Sequence, residues 1–223
     1  YNITLEDEYG ASDTEVVTIT VHGSNDAPIL DIDNIGKVYE DANSILSTTG
    51  SLSFSDPDAT DTHTISTSYN YDAAWNGGTL TNEQFNALAS GFTVDTENWD
   101  YSVNNDLVDF LAEGEWITLS HNVIVSDGHE QNDSDSEAVQ ITIYGKNDAP
   151  VLTIDNAGSV TEDTGTTLTT SGALSFTDVD TTDTHAVFIS YQGDAVWSGG
   201  TLTAGQVVSI VTGFTVDMDG WDY

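Results

Sequence analysis

The feature that most constrains this chain is an internal duplication. Asn25-Asp26-Ala27-Pro28 returns as Asn147-Asp148-Ala149-Pro150, an offset of 122 residues. The offset holds without a gap through Glu40-Asp41 and Glu162-Asp163, through Trp75 and Trp197, and on to Trp99-Asp100-Tyr101 and Trp221-Asp222-Tyr223. Of the 78 aligned positions, 43 are identical. Each copy must then be a unit that stacks on the next. Residues 1–23 fit the same scheme, since Glu15 to Gly23 parallels Glu137 to Gly145, and Asn2 and Asp7 match Asn122 and Asp127 after a shorter loop. Three parts follow: the last two strands of a preceding repeat (1–23), a complete repeat (24–145) and the front part of the next (146–223). Counterparts of Ser102 to Ser120 are missing from the last, so its sandwich is expected not to close alone. A chain that opens on Tyr1, with no Met or signal-like segment, reads as a section of something longer.

Within each copy the short-range pattern is that of strands. Val16 to Val21 and Val139 to Ile143 alternate apolar residues with Thr or Gln, the period-2 signature of a half-buried strand. Leu52-Ser53-Phe54, Ile117 to Val125 and Val151 to Ile154 read the same way, punctuated by turns such as Asp127-Gly128 and Asn76-Gly77-Gly78. One short helix per repeat is expected, as in Thr81 to Gly91, with Thr81 or Asn82 as cap and Phe85 and Leu88 on one face. The predicted fold is all-β: tandem immunoglobulin-like β-sandwiches in a linear string.

Composition then narrows the function. The chain carries 38 acids against two bases, Lys37 and Lys146, for a formal charge of −36. Such a surface repels nucleic acid, which is bound by displacing phosphate counterions with Lys and Arg. It equally repels an anionic membrane, and no apolar run is long enough to insert into one. There is no cysteine, so disulfides, thiolate metal sites and cysteine nucleophiles are all excluded. Repulsion among so many carboxylates would push a compact fold apart unless cations sit among them.

The acids are grouped. They flank the joints at Asn25-Asp26 and Asn147-Asp148, then recur at Glu40-Asp41 and Glu162-Asp163 and at Asp56-Pro57-Asp58 and Asp178-Val179-Asp180. Asp61 and Asp183 follow each of the last pairs, and Asp127-Gly128 with Glu130 forms a further cluster, matched by Asp7-Glu8. Turns favour Asp and Asn for their own sake. Repetition at fixed offsets, with almost no Lys or Arg partners, points further, to a hard cation. Ca2+ takes six to eight oxygens in irregular geometry, whereas Mg2+ wants a strict octahedron and Zn2+ wants His or Cys.

The string Asn-Asp-Ala-Pro, a Glu-Asp pair and Leu-Ser-Phe-x-Asp-x-Asp resembles the opening half of a VCBS-type cadherin-like repeat. Leu111-Ala112-Glu113-Gly114-Glu115, Val123 to Gly128 and Val139 to Gly145 match its closing half. The resemblance implies a tandem extender repeat of a giant RTX or biofilm adhesin, secreted to the extracellular surface of a Gram-negative bacterium. It implies Ca2+ where successive domains abut. Glu40, Asn147, Asp148, Asp178 and Asp180 would serve the second joint. Asn25, Asp26, Asp56, Asp58 and Asp127 would serve the first, and Glu162 would repeat the role of Glu40. Neighbouring repeats are the implied partners, with any cell-surface or matrix ligand bound by other domains of the parent.

Other chemistry is less well supported by the residues. A glycosidase pair of carboxylates must face a cleft, whereas these acids occupy repeating turn positions, so no enzyme is expected. His63 and His185 lack enough nearby ligands for zinc and read as hydrogen-bonded strand-edge histidines. Trp75 and Trp197 precede Gly-Gly turns; packing is the simpler role, and a glycan- or ligand-binding adhesin module is the alternative. Adaptation to high salt would also make a chain acidic. Finally, residues 1–23 resemble the strands the third copy lacks, so strand exchange between molecules is a further option.

Overall fold

A computed structural model describes residues 1–129 and 133–223. Residues 1–23 supply an isolated hairpin, β1 (Asn2–Glu6) and β2 (Ser12–Val16). The turn is held by Asp7, whose Oδ1 accepts from the backbone N–H of Tyr9 and Ala11 at 2.9 and 2.8 Å. The alternation over Val16 to Val21 predicts a strand, but β2 ends at Val16. Its counterpart β11 is supported on one side by a parallel neighbour that residues 1–23 do not contain.

Residues 24–145 form a β-sandwich. One sheet has the order β3 (Ile29–Ile32), β5 (Ile45–Ser55), β9 (Asn98–Asn104), β8 (Phe92–Val94). The other has β4 (Ile35–Tyr39), β11 (Ser134–Tyr144), β10 (Trp116–Ser126), β6 (Thr64–Tyr69), with the short β7 (Ala74–Trp75) also pairing with β10. All neighbours are antiparallel except β4 and β11, which run parallel in the register Ile141 to Gly36. Alternation does the sorting: β9 turns Trp99, Tyr101 and Val103 inward, and β10 and β11 turn Ile117, Leu119, Val123, Val125, Val139, Ile141 and Ile143 inward against them.

Trp99 is the centre of this core. It is fully buried, lies flat over Gly50, and donates from Nε1 to the carbonyl of Asp33 at 2.6 Å. A Cβ on Gly50 would lie 2.5 Å from the indole, so the strand must have glycine there. The helix α1 (Asn82–Ala89) is capped by Thr81, whose hydroxyl accepts from Gln84 N–H while the Gln84 side chain accepts from Thr81 N–H. Leu88 is buried and Phe85 half-buried beside it, packing on Tyr69 and Tyr71.

Residues 146–223 build one sheet only: β12 (Val151–Ile154), β13 (Ser171–Thr177), β15 (Gly220–Asp222), β14 (Thr215–Val216). It is the counterpart of the β3-β5-β9-β8 sheet, down to Trp221 Nε1 donating to Asp155 O at 2.6 Å and a second capping box on α2 (Ala204–Val211). The segments matching β4 and β6, residues 157–161 and 186–191, are not strands. No helix among the described residues is long and apolar enough to cross a membrane.

Candidate metal centre

The linker between residues 145 and 150 is fixed by the end of the sandwich. Gly145 donates to Glu115 O at 2.9 Å and passes so close to Leu111 O and Ala112 O that a Cβ would sit 2.5 Å from both. At the end of β4, Glu40 donates its backbone N–H to Tyr144 O at 3.0 Å, which brings its side chain to the linker. There Glu40 Oε1 accepts from the Lys146 N–H at 3.1 Å. Asp41 follows at φ 59°, a left-handed conformation that Asp tolerates better than most residues. The downstream copy contributes Asp148 from the linker and Asp180 from the turn after β13, joined by an Asp148 N–H to Asp180 Oδ2 bond of 2.7 Å.

Glu40, Asp148 and Asp180 thus meet, with one oxygen of each lying within 4.8 Å of the others. Glu40 is 1% exposed and Asp180 2%. Glu40 Oε2, Asp148 Oδ2 and Asp180 Oδ1 are buried and accept no hydrogen bond. A buried acceptor without a donor costs about 1–3 kcal/mol, more when charged, so a proton or a cation held among these carboxyls would stabilise the joint. Oxygens sharing one Ca2+ at about 2.3–2.6 Å cannot lie more than about 5 Å apart, a span this trio meets. The donor set is all oxygen, which suits a hard divalent cation.

Electrostatics agree. Burial pushes the Glu40 carboxyl up to about 8, with Asp180, Asp148 and Asp41 adding to the rise and the Lys146 N–H opposing it. Asp180 and Asp148 are also raised, chiefly by burial. A second group shares Asp148 with Asp41 and Asp109. Asn105 arranges it, donating from Nδ2 to Asp109 Oδ1 at 2.7 Å and accepting from the Asp41 N–H at 2.8 Å. The Lys146 ammonium lies 3.4 Å from Asp41 Oδ2. A further tie crosses the joint, where Thr182 Oγ1 donates to Glu115 Oε1 at 2.7 Å.

The first joint has a different arrangement. Asp56, Asp61 and Asp127 come together there, and Asn25 Nδ2 donates to Asp127 Oδ2 at 3.1 Å. Asp26 N–H donates to Asp58 Oδ2 at 2.8 Å, repeating the Asp148–Asp180 bond. Asp56 is held below the usual carboxylate range first by His63, whose Nε2 lies 2.7 Å from its Oδ2. Burial works against ionisation of Asp127, but the His129 N–H and the Asn25 amide outweigh it and its carboxyl is lowered. His129 Nε2 reaches Asp61 Oδ2 at 3.1 Å.

Of the residues predicted for the second joint, the structure therefore gathers Glu40, Asp148 and Asp180. Asp178 is turned to His185 at 2.7 Å, which holds its carboxyl low. Asn147 donates its amide to Asp148 O at 2.7 Å. Glu162 is exposed and joins no acidic group among the described residues. Glu130 lies outside the described residues. Asp41 and Asp61 were visible beside the predicted ligands without being counted among them. Asp109 was missed, and nothing in the loop around it repeats within this chain. Trp75 packs edge-on to Phe110 and donates from Nε1 to Glu115 Oε2 at 3.0 Å, so its ring serves the scaffold.

No protein-family model matches the chain, and no curated protein does. Among solved structures it is similar to the major subunit of aggregative adherence fimbriae type I, AggA, from Escherichia coli. That similarity is 13% in identity over 56% of this chain and 99% of the fimbrial one, with a TM-score of 0.30.

Proposed function

We propose that this chain is a run of structural repeats from an extracellular bacterial adhesin or biofilm protein, stiffened by Ca2+ at the joints. The supporting observation is the trio of Glu40, Asp148 and Asp180. It draws one carboxylate from the end of one copy and two from the start of the next, and each presents a buried oxygen with no donor. A cation bound there would neutralise the repulsion that otherwise separates the copies. Glu40, Asp148 and Asp180 would hold it, and Asp41 and Asp109 would lower the potential beside it.

In this reading each copy is an immunoglobulin- or cadherin-like sandwich of the VCBS type, and its partners are its neighbours in the chain. The role is mechanical and not catalytic. A ligand on a cell or matrix would be bound by other parts of the parent protein, on the outer surface of a Gram-negative cell. At the affinity usual for extracellular modules, about 10⁻⁴–10⁻³ M, external Ca2+ would keep the joint closed.

The test is thermal unfolding of the whole chain in CaCl2, in MgCl2 and in EGTA. A saturable rise in melting temperature with Ca2+, much weaker with Mg2+, supports the reading. Identical curves in CaCl2 and EGTA would overturn it and leave the acids a role in solubility alone.

A further inference from the structure

We propose that Tyr71 and Phe85 form a stacking site, on the flank of the 24–145 sandwich, for an arginine side chain of a basic partner polypeptide. Tyr69, the last residue of β6, pairs with His121, the middle residue of β10, so the loop that follows lies midway between the two joints. That loop is tied down at three points. Asn70 N–H donates to Ser120 O at 3.1 Å, Asp72 Oδ1 accepts from the Ser120 N–H at 2.8 Å, and the Tyr69 hydroxyl accepts from the Ala73 N–H at 3.0 Å. In the next copy the Tyr191 hydroxyl accepts from the Ala195 N–H at 2.6 Å, so the same closure forms there.

The two copies differ at the tip of the loop. Tyr71 adopts φ 58°, a left-handed conformation that is costly for a bulky side chain, and the matching residue is Gly193 at φ 79°. The Tyr71 side chain is 79% exposed. Phe85 changes with it, to Val207. The loop closes without a tyrosine in one copy, and in the other the tyrosine brings strain and little burial. A strained, exposed ring on a firmly held backbone is placed for contact with something outside the copy.

The chemistry of that contact follows from the ring and the charge. Tyr71 stacks with Phe85, centroids 6.3 Å apart and planes 20° from parallel, and leans on Tyr69 at 5.1 Å. With 38 acids against two bases, Lys37 on β4 and Lys146 in the linker, the long-range field attracts a basic partner and repels an acidic one. Asp72, fixed by Ser120, adds a negative charge next to Tyr71 in the chain. A guanidinium is a planar cation that lies flat on an aromatic face, which an ammonium cannot do. The site is separate from the cation at the joint and comes in addition to any receptor held by other parts of the parent protein.

Fluorescence anisotropy of labelled nona-arginine and nona-lysine, titrated with the whole chain in about 0.5 M NaCl to screen the long-range attraction, tests this. The two peptides carry equal charge, so what separates them is stacking. Tyr71→Gly, the exchange that the next copy already carries, should weaken binding of nona-arginine about fivefold and of nona-lysine by about twofold at most. Its melting temperature should stay within about 2 °C of the parent's. Tyr39→Thr, the matching exchange at an exposed tyrosine beside a joint, should alter neither affinity. No binding of nona-arginine by the parent, equal losses of the two peptides in Tyr71→Gly, or no loss at all would overturn the proposal. A clear drop in melting temperature would also overturn it, by making Tyr71 a packing residue, as would displacement of nona-arginine by maltohexaose, which would make the ring a platform for uncharged sugar.

Discussion

Residues 24–101 and 146–223 share 43 of 78 positions, yet the first stretch contributes to both sheets of a closed sandwich and the second to one open sheet. The difference lies in what stands opposite. β4 and β6 are strands because β11 and β10 pair with them, and their sequence counterparts, with no such neighbours, are not. The joints repeat the lesson. Asp26 and Asp148 make the same bond, to Asp58 and Asp180, but Asp180 is buried because an upstream copy sets Glu40 over it, while Asp58 is half-buried. Local sequence determines the turn, and the neighbouring copy determines its electrostatics.

The largest effect expected from this comparison is in the cores. Trp99→Ala should cost about 3–5 kcal/mol in urea unfolding followed by far-ultraviolet circular dichroism, as for any fully buried aromatic. Trp221→Ala, the same residue in the open sheet, should move that cooperative transition by less than about 1 kcal/mol. Equal costs would mean that the two copies unfold as one body.

Next comes the pH dependence of the joint without Ca2+. The folded Glu40 carboxyl, at about 8, lies above its unfolded value, so the folded chain holds the proton more tightly. Its contribution to stability is then complete at acid pH and is lost as pH rises through about 8. Glu40→Gln should remove that slope in EGTA and stabilise the Ca2+-free chain at pH 8 by on the order of 2 kcal/mol. Glu162→Gln, at an exposed side chain that joins no acidic group among the described residues, should change stability by less than about 0.5 kcal/mol. Melting curves in EGTA across pH read both.

His121 separates the closed copy from the open one in the opposite direction. It is buried, stacked on Phe92 at 4.5 Å, and its Nε2 has no hydrogen-bond partner. Burial lowers its pKa, with Asp72 opposing. A base whose folded pKa is depressed contributes fully above its unfolded value, near 6.5, and loses that contribution as pH falls below it, by up to about 1.4 kcal/mol per unit. The sandwich should therefore weaken below pH 6.5, and His121→Gln should flatten that limb. The smallest effect belongs to Lys146→Ala. This ammonium is mostly exposed beside Asp41, and its loss should cost less than about 1 kcal/mol, falling toward zero in high salt.

Much of this was legible because duplication lets one copy annotate the other. The strand pattern, the helix with its Thr81 cap and the recurrence of each acidic cluster could be read from aligned motifs, whereas the meeting of Glu40 with Asp148 and Asp180 was implied only by the family resemblance, in a set that also held Asn147 and Asp178. What could not be read depends on the neighbour. The alternation at Val16 to Val21 is that of a strand, but a strand needs a partner that the pattern does not reveal. Asp178 and Asp180 look equivalent in sequence, yet His185 takes one and Glu40 faces the other. Asp109 reaches the joint only because Asn105 holds it against Asp41, a contact between side chains that no motif spacing encodes.

Isothermal titration of the whole chain with CaCl2, comparing Asp180→Asn with Asp58→Asn, tests the central claim most directly. The two substitutions are the same change at matched positions, so only the joint differs. Loss of one charged ligand should weaken the Asp180→Asn site by about tenfold or more, with uptake of Ca2+ by the parent chain releasing a proton from Glu40 at neutral pH. Asp58→Asn should keep that site and that proton release intact. Equal effects of the two substitutions, or no heat of Ca2+ binding in the parent chain, would contradict the account.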